Sequence, residues 1–131
     1  MSSNTWSHHI VLPPLPISAY QARAFVRQRL VDHGLMRLID DVQLITSELA
    51  TNAVLHTQEP FTVTLRREGP LVVLAIRDSS LLLPLPSPIQ AMDTQGRGLV
   101  VVDSFSHDWG IDRRTGWAKS VWASFELTAE E

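Results

Sequence analysis

The stretch that decides the fold is Ser47-Glu48-Leu49-Ala50-Thr51-Asn52-Ala53-Val54-Leu55-His56, which the sequence predicts to be the second half of a helix. At 100° per residue, one apolar stripe runs along this helix, formed by Leu38, Val42, Ile45, Leu49 and Ala53. Asn52 and His56 fall inside the stripe, and Glu48 lies at its edge. Burying such groups without partners costs roughly 1–3 kcal/mol each. The pattern therefore indicates a pocket whose ligand satisfies these three side chains.

A purely structural role for the same residues is the alternative interpretation. A Glu-x-x-x-Asn pair is common on helices, and here Asn52 would cap a turn while His56 bonds a backbone carbonyl near the helix end. The rest of the chain has to decide between the two interpretations.

Length and composition predict one globular domain over residues 1–131, because 44% hydrophobic content is enough for a two-layer core. A net charge of −3 without a Lys/Arg cluster argues against direct nucleic-acid binding. The absence of cysteine excludes disulfides and thiolate metal sites. No apolar run is long enough to span a bilayer, and Met1-Ser2-Ser3-Asn4 lacks the features of a secretory signal. We expect a cytoplasmic protein without a membrane partner.

The first half of the chain predicts a strand and two helices. Residues Ser7 to Leu12 alternate as an edge strand that the prolines at 13, 14 and 16 stop. A helix follows from Ser18, its predicted N-cap, to Gly34. Its apolar face consists of Ala22, Phe25, Val26, Leu30 and Val31. Its arginines, at 23, 27 and 29, form a solvated face or a surface for a partner protein. The central helix begins near residue 36 or 38 and ends near His56, before Pro60.

Two strands then form a hairpin across the turn Glu68-Gly69-Pro70, because residues 61–66 alternate and residues 71–76 form a more buried run. Asp78 follows at the end of the second strand, a good place for a ligand contact. Leu81 to Gln95 has three prolines and no periodicity, which predicts a lid at approximately residues 79–96. The two glycines of Gly96-Arg97-Gly98-Leu99 would let backbone N–H groups approach an anion closely, and a simple turn is the alternative interpretation.

Residues 107–113 and 118–128 predict a second hairpin, with a buried surface supplied by Trp109, Ile111, Val121, Trp122, Phe125 and Leu127. Between the lid and this hairpin, the valines at 100–102 favour a strand by propensity. The order of elements predicts a two-layer α/β sandwich with helices on one face of a sheet.

Four motifs resemble, in order, the ATP-site motifs of the GHKL (Bergerat-fold) superfamily. They are the 47–56 stretch, Ile-Arg-Asp-Ser-Ser at 76–80, Gly-Arg-Gly-Leu at 96–99 and Ala-Lys-Ser-Val-Trp-Ala-Ser-Phe at 118–125. The chain is most similar to the small anti-sigma-factor serine kinases and related single-domain ATP-binding regulators of actinobacteria. This resemblance implies the α+β Bergerat sandwich, with a mixed, mostly antiparallel sheet, and favours a helix for the valine run.

The resemblance also implies ATP and Mg²⁺ as cofactors and gives each motif a role. Asn52 becomes the Mg²⁺ ligand, through an amide oxygen suited to a hard cation. Glu48 becomes the general base that accepts the proton of an attacking serine hydroxyl or positions that hydroxyl. Asp78 accepts a hydrogen bond from the adenine amino group. The other implied contacts are to phosphates, from His56, Gly96, Arg97, Gly98 and Leu99, and to the adenine side, from Ser120.

The sequence departs from the family pattern at two places. Ala118-Lys119-Ser120 stands where Gly-Lys-Thr is usual, so the hydroxyl is kept but a permissive backbone position is lost. Ser79-Ser80 replaces the Asp-x-Gly of the wider superfamily.

Two functions follow from the resemblance. The first is an anti-sigma factor that is also a serine kinase, with a sigma factor and a STAS-type anti-sigma-factor antagonist as partners and a homodimer among the assemblies it allows. The second is a nucleotide-binding module that acts only by protein contact, without turnover. Glu48 favours the first, because ATP binding alone does not need it. A small-molecule kinase is a weaker third alternative.

Overall fold

The computed structural model describes residues 5–78, 98–113 and 118–131. Its strands are β1 (Trp6–Leu12), β2 (Phe61–Glu68), β3 (Leu71–Asp78), β4 (Asp108–Asp112) and β5 (Lys119–Glu126). Its helices are α1 (Ile17–Asp32), α2 (Ile39–His56) and α3 (Gly98–Phe105), with a 3₁₀ turn at Met36–Leu38 before α2. This order of elements confirms the predicted order. The predicted lid lies outside the described residues.

The strands form one sheet within the described residues, in the order β1-β2-β3-β5-β4, and every neighbouring pair is antiparallel. The predicted edge position of β1 is confirmed. Helix α1 packs over β1 and β2, α2 packs over β3, and α3 contacts β4. The three helices therefore follow one another across one face of the sheet, with α2 in contact with both α1 and α3. The predicted sandwich is confirmed, and the sheet, expected to be mixed and mostly antiparallel, is antiparallel throughout its described strands.

The core lies between the helices and alternate residues of the central strands, and each fully buried aliphatic side chain contributes about 1.5–3 kcal/mol. The strand residues involved are Phe61, Val63, Leu65, Val72, Leu74, Ile76, Val121, Ala123 and Phe125. The predicted apolar stripe at residues 38, 42, 45, 49 and 53 is buried throughout. Trp122 was expected among these buried residues, but alternation in β5 places it on the opposite face. There it is half-buried beside Gly110, where an added Cβ would lie 2.8 Å from the indole ring.

Two details of α1 differ from the prediction. Ser18 is not the N-cap, because the helix already begins at Ile17; its buried hydroxyl donates to the carbonyl oxygen of Pro13 instead. Val31 is 42% exposed, since it is turned 100° away from the buried Leu30. The predicted end of the helix is confirmed by Gly34, whose φ of 71° is favourable for glycine.

The end of the chain is tied to the turn that precedes α2. Arg37 donates to both carboxylate oxygens of Glu131, at 2.6 and 3.1 Å, and the backbone N–H of Thr128 donates to the same carboxylate at 2.8 Å. The hydrogen bond from Arg37, followed by that from Thr128, lowers the pKa of Glu131 from 4.5 to about 2. Because the Arg37 side chain is 50% exposed, we expect solvent to weaken this pair.

We expect Glu131→Gln to lower the free energy of unfolding by about 1 kcal/mol at neutral pH. Since the folded pKa is depressed, the stabilisation is present above pH 4.5 and is lost as the pH falls towards about 2. Urea unfolding at neutral pH and at about pH 3 should therefore show a smaller difference at the lower pH. Glu130→Gln, at an exposed neighbour, is the matched control and should change neither value. A difference that stays constant with pH would contradict the ion-pair explanation.

Within the part of the chain that the structure describes, no helix combines the length and apolarity needed to cross a membrane.

Candidate functional site

Three polar side chains form a row along one flank of α2. Glu48, Asn52 and His56 lie one turn apart, and all three are half-buried. They stand at the margin of the buried stripe, whereas Asn52 and His56 were predicted inside it. On the other flank, Arg23 of α1 donates to the hydroxyl of Ser47 at 3.2 Å. Asn52 and Ser47 are 140° apart around the helix, at 100° per residue, so Asn52 lies on the side of α2 that faces away from α1.

The second predicted residue, Asp78, is the last residue of β3 and is only 5% exposed. Side chains alternate between the two faces along a strand, so Asp78 lies on the same face as Leu74 and Ile76, which the helices cover. The end of α2 is at the same end of the sheet, because β2 follows α2 after four residues and its Thr62 pairs with Arg77. The fold therefore brings the His56 end of the α2 row and Asp78 to one end of the sandwich, whereas Glu48 lies near the middle of the helix.

The strand register places Lys119, not Ser120, on the same face as Asp78. Lys119 pairs directly with Asp78 across β3 and β5, and its Nζ lies 3.6 Å from the Asp78 Oδ2. The Lys119 side chain is only 18% exposed. Ser120 pairs with Arg77 and lies on the opposite face, away from the helices.

Sequence reasoning missed Lys119, although a signal for it was present. Val121 and Phe125 are plainly core residues, and a period of two from them places residue 119 on the core face. The resemblance drew attention to the hydroxyl of Ser120 instead.

An open depression lies at the same end of the sheet, lined by Pro60, Thr62, Arg77, Asp78 and Ala118. Its lining joins the starts of β2 and β5 to the end of β3. The residue that departs from the usual glycine, Ala118, is thus adjacent to the candidate base-binding carboxylate.

Helix α3 begins at Gly98, which confirms the helix that the resemblance favoured, while the loop predicted before it lies outside the described residues. Its far end is at Phe105, after which the N–H of His107 donates to the carbonyl of Ser124, remote from Lys119 along β5. Leu99 lies in the first turn of α3. Gly96 and Arg97, which were predicted to reach the phosphates, lie outside the described residues.

The available donors fit a cation that takes most of its ligands from a nucleotide. In the described ranges, no three His, Cys, Asp or Glu side chains cluster as a metal site. A single amide such as Asn52 suits Mg²⁺, which usually takes one or two protein oxygens and completes its shell with phosphates and water.

Residues 12–125 match the histidine kinase-like ATPase domain family, and the chain belongs to this family. This establishes a GHKL-type, ATPase-like domain. No curated protein matches the chain.

Among solved structures, the chain is similar to the crystal structure of the RsbU and RsbW domains of Rv1364c from Mycobacterium tuberculosis, with a TM-score of 0.70 and 21% sequence identity. The match covers 93% of this chain and 32% of that one, so this chain spans about a third of its length. Likeness at this level of identity shows a shared fold.

Proposed function

We propose that this chain is an ATP-binding regulatory protein that acts as an anti-sigma factor and as a serine kinase on a STAS-type anti-sigma-factor antagonist. The observation that carries the proposal is the row of Glu48, Asn52 and His56 along one flank of α2, which runs towards the end of the sheet where Asp78 ends β3. The chain belongs to a family of histidine kinase-like ATPase domains, which supports a nucleotide as the ligand of these residues. The shared fold with a structure that contains an RsbW domain agrees with the proposal.

Each residue has a distinct task in this proposal. Asp78 accepts from the amino group of the base, and Asn52 offers its amide oxygen to Mg²⁺. His56 and the first turn of α3, from Gly98, lie towards the phosphates. When bound, Mg²⁺ neutralises charge on the phosphate oxygens.

Glu48 supplies the proton acceptor for the transfer. The oxygen of the partner's serine forms a bond to the γ-phosphorus while the bond from that phosphorus to the bridging oxygen breaks. The hydroxyl proton goes to the Glu48 carboxylate, and ADP leaves. Glu48 is half-buried on α2, one turn before Asn52, so the acceptor and the metal ligand share one helix flank.

A second candidate is a nucleotide-binding interaction module without kinase turnover. The departure at Ala118 favours it, because this residue stands beside the Asp78 carboxylate at a position where glycine is usual. In this alternative, nucleotide binding alters the surface offered to a sigma factor and no phosphate is transferred.

Two measurements test the proposed function. Calorimetric titration with ATP, with and without Mg²⁺, should show binding that the metal strengthens. Incubation with ATP and a STAS-type antagonist, followed by intact-mass spectrometry, should show one added phosphate on the antagonist. Absence of ATP binding would refute both candidates, whereas binding without transfer would leave the interaction module.

Asp78→Asn should weaken ATP binding by about 1–3 kcal/mol, or roughly 5- to 150-fold. The amide can turn an N–H donor towards the amino donor of the base, and a mismatched buried pair loses this much. Calorimetry measures the effect, and thermal unfolding without ligand shows whether the fold is intact. Asp40→Asn, an exposed change in the first turn of α2, is the control that should bind ATP like the wild type. Equal affinity of the Asp78 variant and the wild type would exclude Asp78 from base recognition.

A further inference from the structure

Asp78 and Lys119 place an acceptor and a donor side by side at the end of the sheet. The antiparallel register holds their Cα atoms opposite each other, and both side chains lie on the face that the helices cover. They are only 5% and 18% exposed. Backbone pairing therefore holds the two residues opposite each other, and neither side chain is largely exposed to solvent.

The separation leaves the ammonium able to make other contacts. The Nζ to Oδ2 distance of 3.6 Å lies beyond ordinary hydrogen-bond length, although it is close enough for charge attraction. A lysine ammonium carries three N–H donors, and one acidic neighbour engages at most part of this capacity. A ligand that binds beside Asp78 can therefore also accept a hydrogen bond from the Lys119 ammonium.

A purely structural ion pair is the competing explanation for Lys119. A buried pair gains attraction but loses the hydration of both charges, so by itself it is a weak source of stability. A lysine that only neutralised Asp78 would also make that carboxylate a poorer acceptor for the base. The two explanations differ in whether Lys119 contacts the ligand.

We propose that Lys119 is a specificity-determining residue that donates to the N1 nitrogen of adenine, while Asp78 accepts from the neighbouring amino group. This inference rests on the proposed ATP-binding function. Adenine presents a donor and an acceptor at these adjacent positions, which match Asp78 and Lys119 in order. Guanine presents a carbonyl and a ring N–H there, so it would set oxygen against carboxylate and N–H against ammonium.

The test compares ATP with 1-deaza-ATP, in which a C–H group replaces N1. Wild-type protein should bind 1-deaza-ATP at least about tenfold more weakly, because an ammonium on a side chain that is only 18% exposed loses its acceptor. Lys119→Met keeps an unbranched side chain that is one heavy atom shorter and removes the donor, so it should bind the two nucleotides with nearly equal affinity. GTP should bind the wild type much more weakly than ATP.

Arg27→Met is the control, because it removes a cation from an exposed position of α1 that is not part of the proposed site. It should keep the full difference between ATP and 1-deaza-ATP. Lys119→Gln retains an N–H donor and should keep part of the difference. This variant serves if Lys119→Met fails to fold, as judged by thermal unfolding.

Each result bears on one of the two proposals. A 1-deaza penalty that is the same in the wild type and in both Lys119 variants would overturn the role of Lys119 and leave ATP binding in place. Equal affinity of the wild type for ATP and 1-deaza-ATP would do the same. Failure of the wild type to bind ATP at all would overturn the proposed function together with this inference.

Discussion

Glu48→Gln is expected to lower the rate of phosphate transfer to the antagonist's serine by 10²- to 10⁴-fold, the usual effect of losing a general base. ATP affinity should stay close to that of the wild type. The substitution keeps the size of the side chain and removes its ability to take a proton. It also removes a negative charge near the triphosphate, so it gives no reason for weaker nucleotide binding.

The measurement is phosphate incorporation over time by intact-mass spectrometry, with an ATP titration on the same protein. Glu59→Gln is the matched control, because it makes the same chemical change at an exposed position just beyond the end of α2. It should transfer phosphate at the wild-type rate. If Glu48→Gln also transfers at that rate, the proton leaves by another route, through water or through the substrate itself.

The same experiment separates the two candidate functions. A wild type that binds ATP and a sigma factor, but transfers phosphate to no STAS-type partner, supports the interaction module. In that case Glu48→Gln should leave every measured property unchanged. Transfer by the wild type and its loss in this variant together support the kinase.

Much of the fold follows from the periodicity of the sequence. The apolar stripe of α2 and the alternation in residues 61–66 each match one face of a regular element, and the structure confirms both. Burial selects these patterns directly, because each misplaced apolar side chain would cost one to several kcal/mol. The helix end at Gly34 and the turn at Gly69 were also predicted from the sequence. Both residues adopt a positive φ, which glycine tolerates better than other residues.

Local propensity was misleading where packing decides the outcome. The valines at 100–102 favour a strand, yet they lie in α3. The propensity cost of a β-branched residue in a helix is below about 1 kcal/mol per residue, and the burial of Val102 outweighs it. Ser18 shows the same limit, because its hydroxyl bonds to Pro13 only once the proline segment has folded back on the helix.

The site was predictable in part. The spacing of Glu48, Asn52 and His56 places them on one flank of any helix, and Asp78 had to end its strand before the break in periodicity. The end of α2 and Asp78 come together through the four-residue connection from α2 to β2 and through the β2-β3 hairpin, both of which are local. The contact of Lys119 with Asp78 depends instead on strand order, in which β5 lies between β3 and β4, and no local pattern specifies this order.

Asn52→Ala should remove the dependence of ATP binding on Mg²⁺. In the wild type, adding Mg²⁺ should strengthen ATP binding, and loss of the amide oxygen should cost at least about 1.4 kcal/mol, or tenfold, in the presence of the metal. Calorimetric titrations with Mg²⁺ and with a chelator measure the two affinities. Thr51→Ala is the control, because residue 51 is exposed and its side chain is turned 100° from Asn52; it should keep the wild-type ratio.

Asn52→Asp distinguishes a metal ligand from a residue that merely supports the pocket. A carboxylate keeps an oxygen for Mg²⁺ but repels the triphosphate when the metal is absent. The ratio of affinities with and without Mg²⁺ should therefore rise above the wild-type ratio in Asn52→Asp and fall towards one in Asn52→Ala. Thermal unfolding without ligand should show that both variants remain folded, since Asn52 lies at the margin of the core rather than within it. If both substitutions weaken binding equally with and without the metal, Asn52 shapes the pocket and the Mg²⁺ ligand must be sought elsewhere.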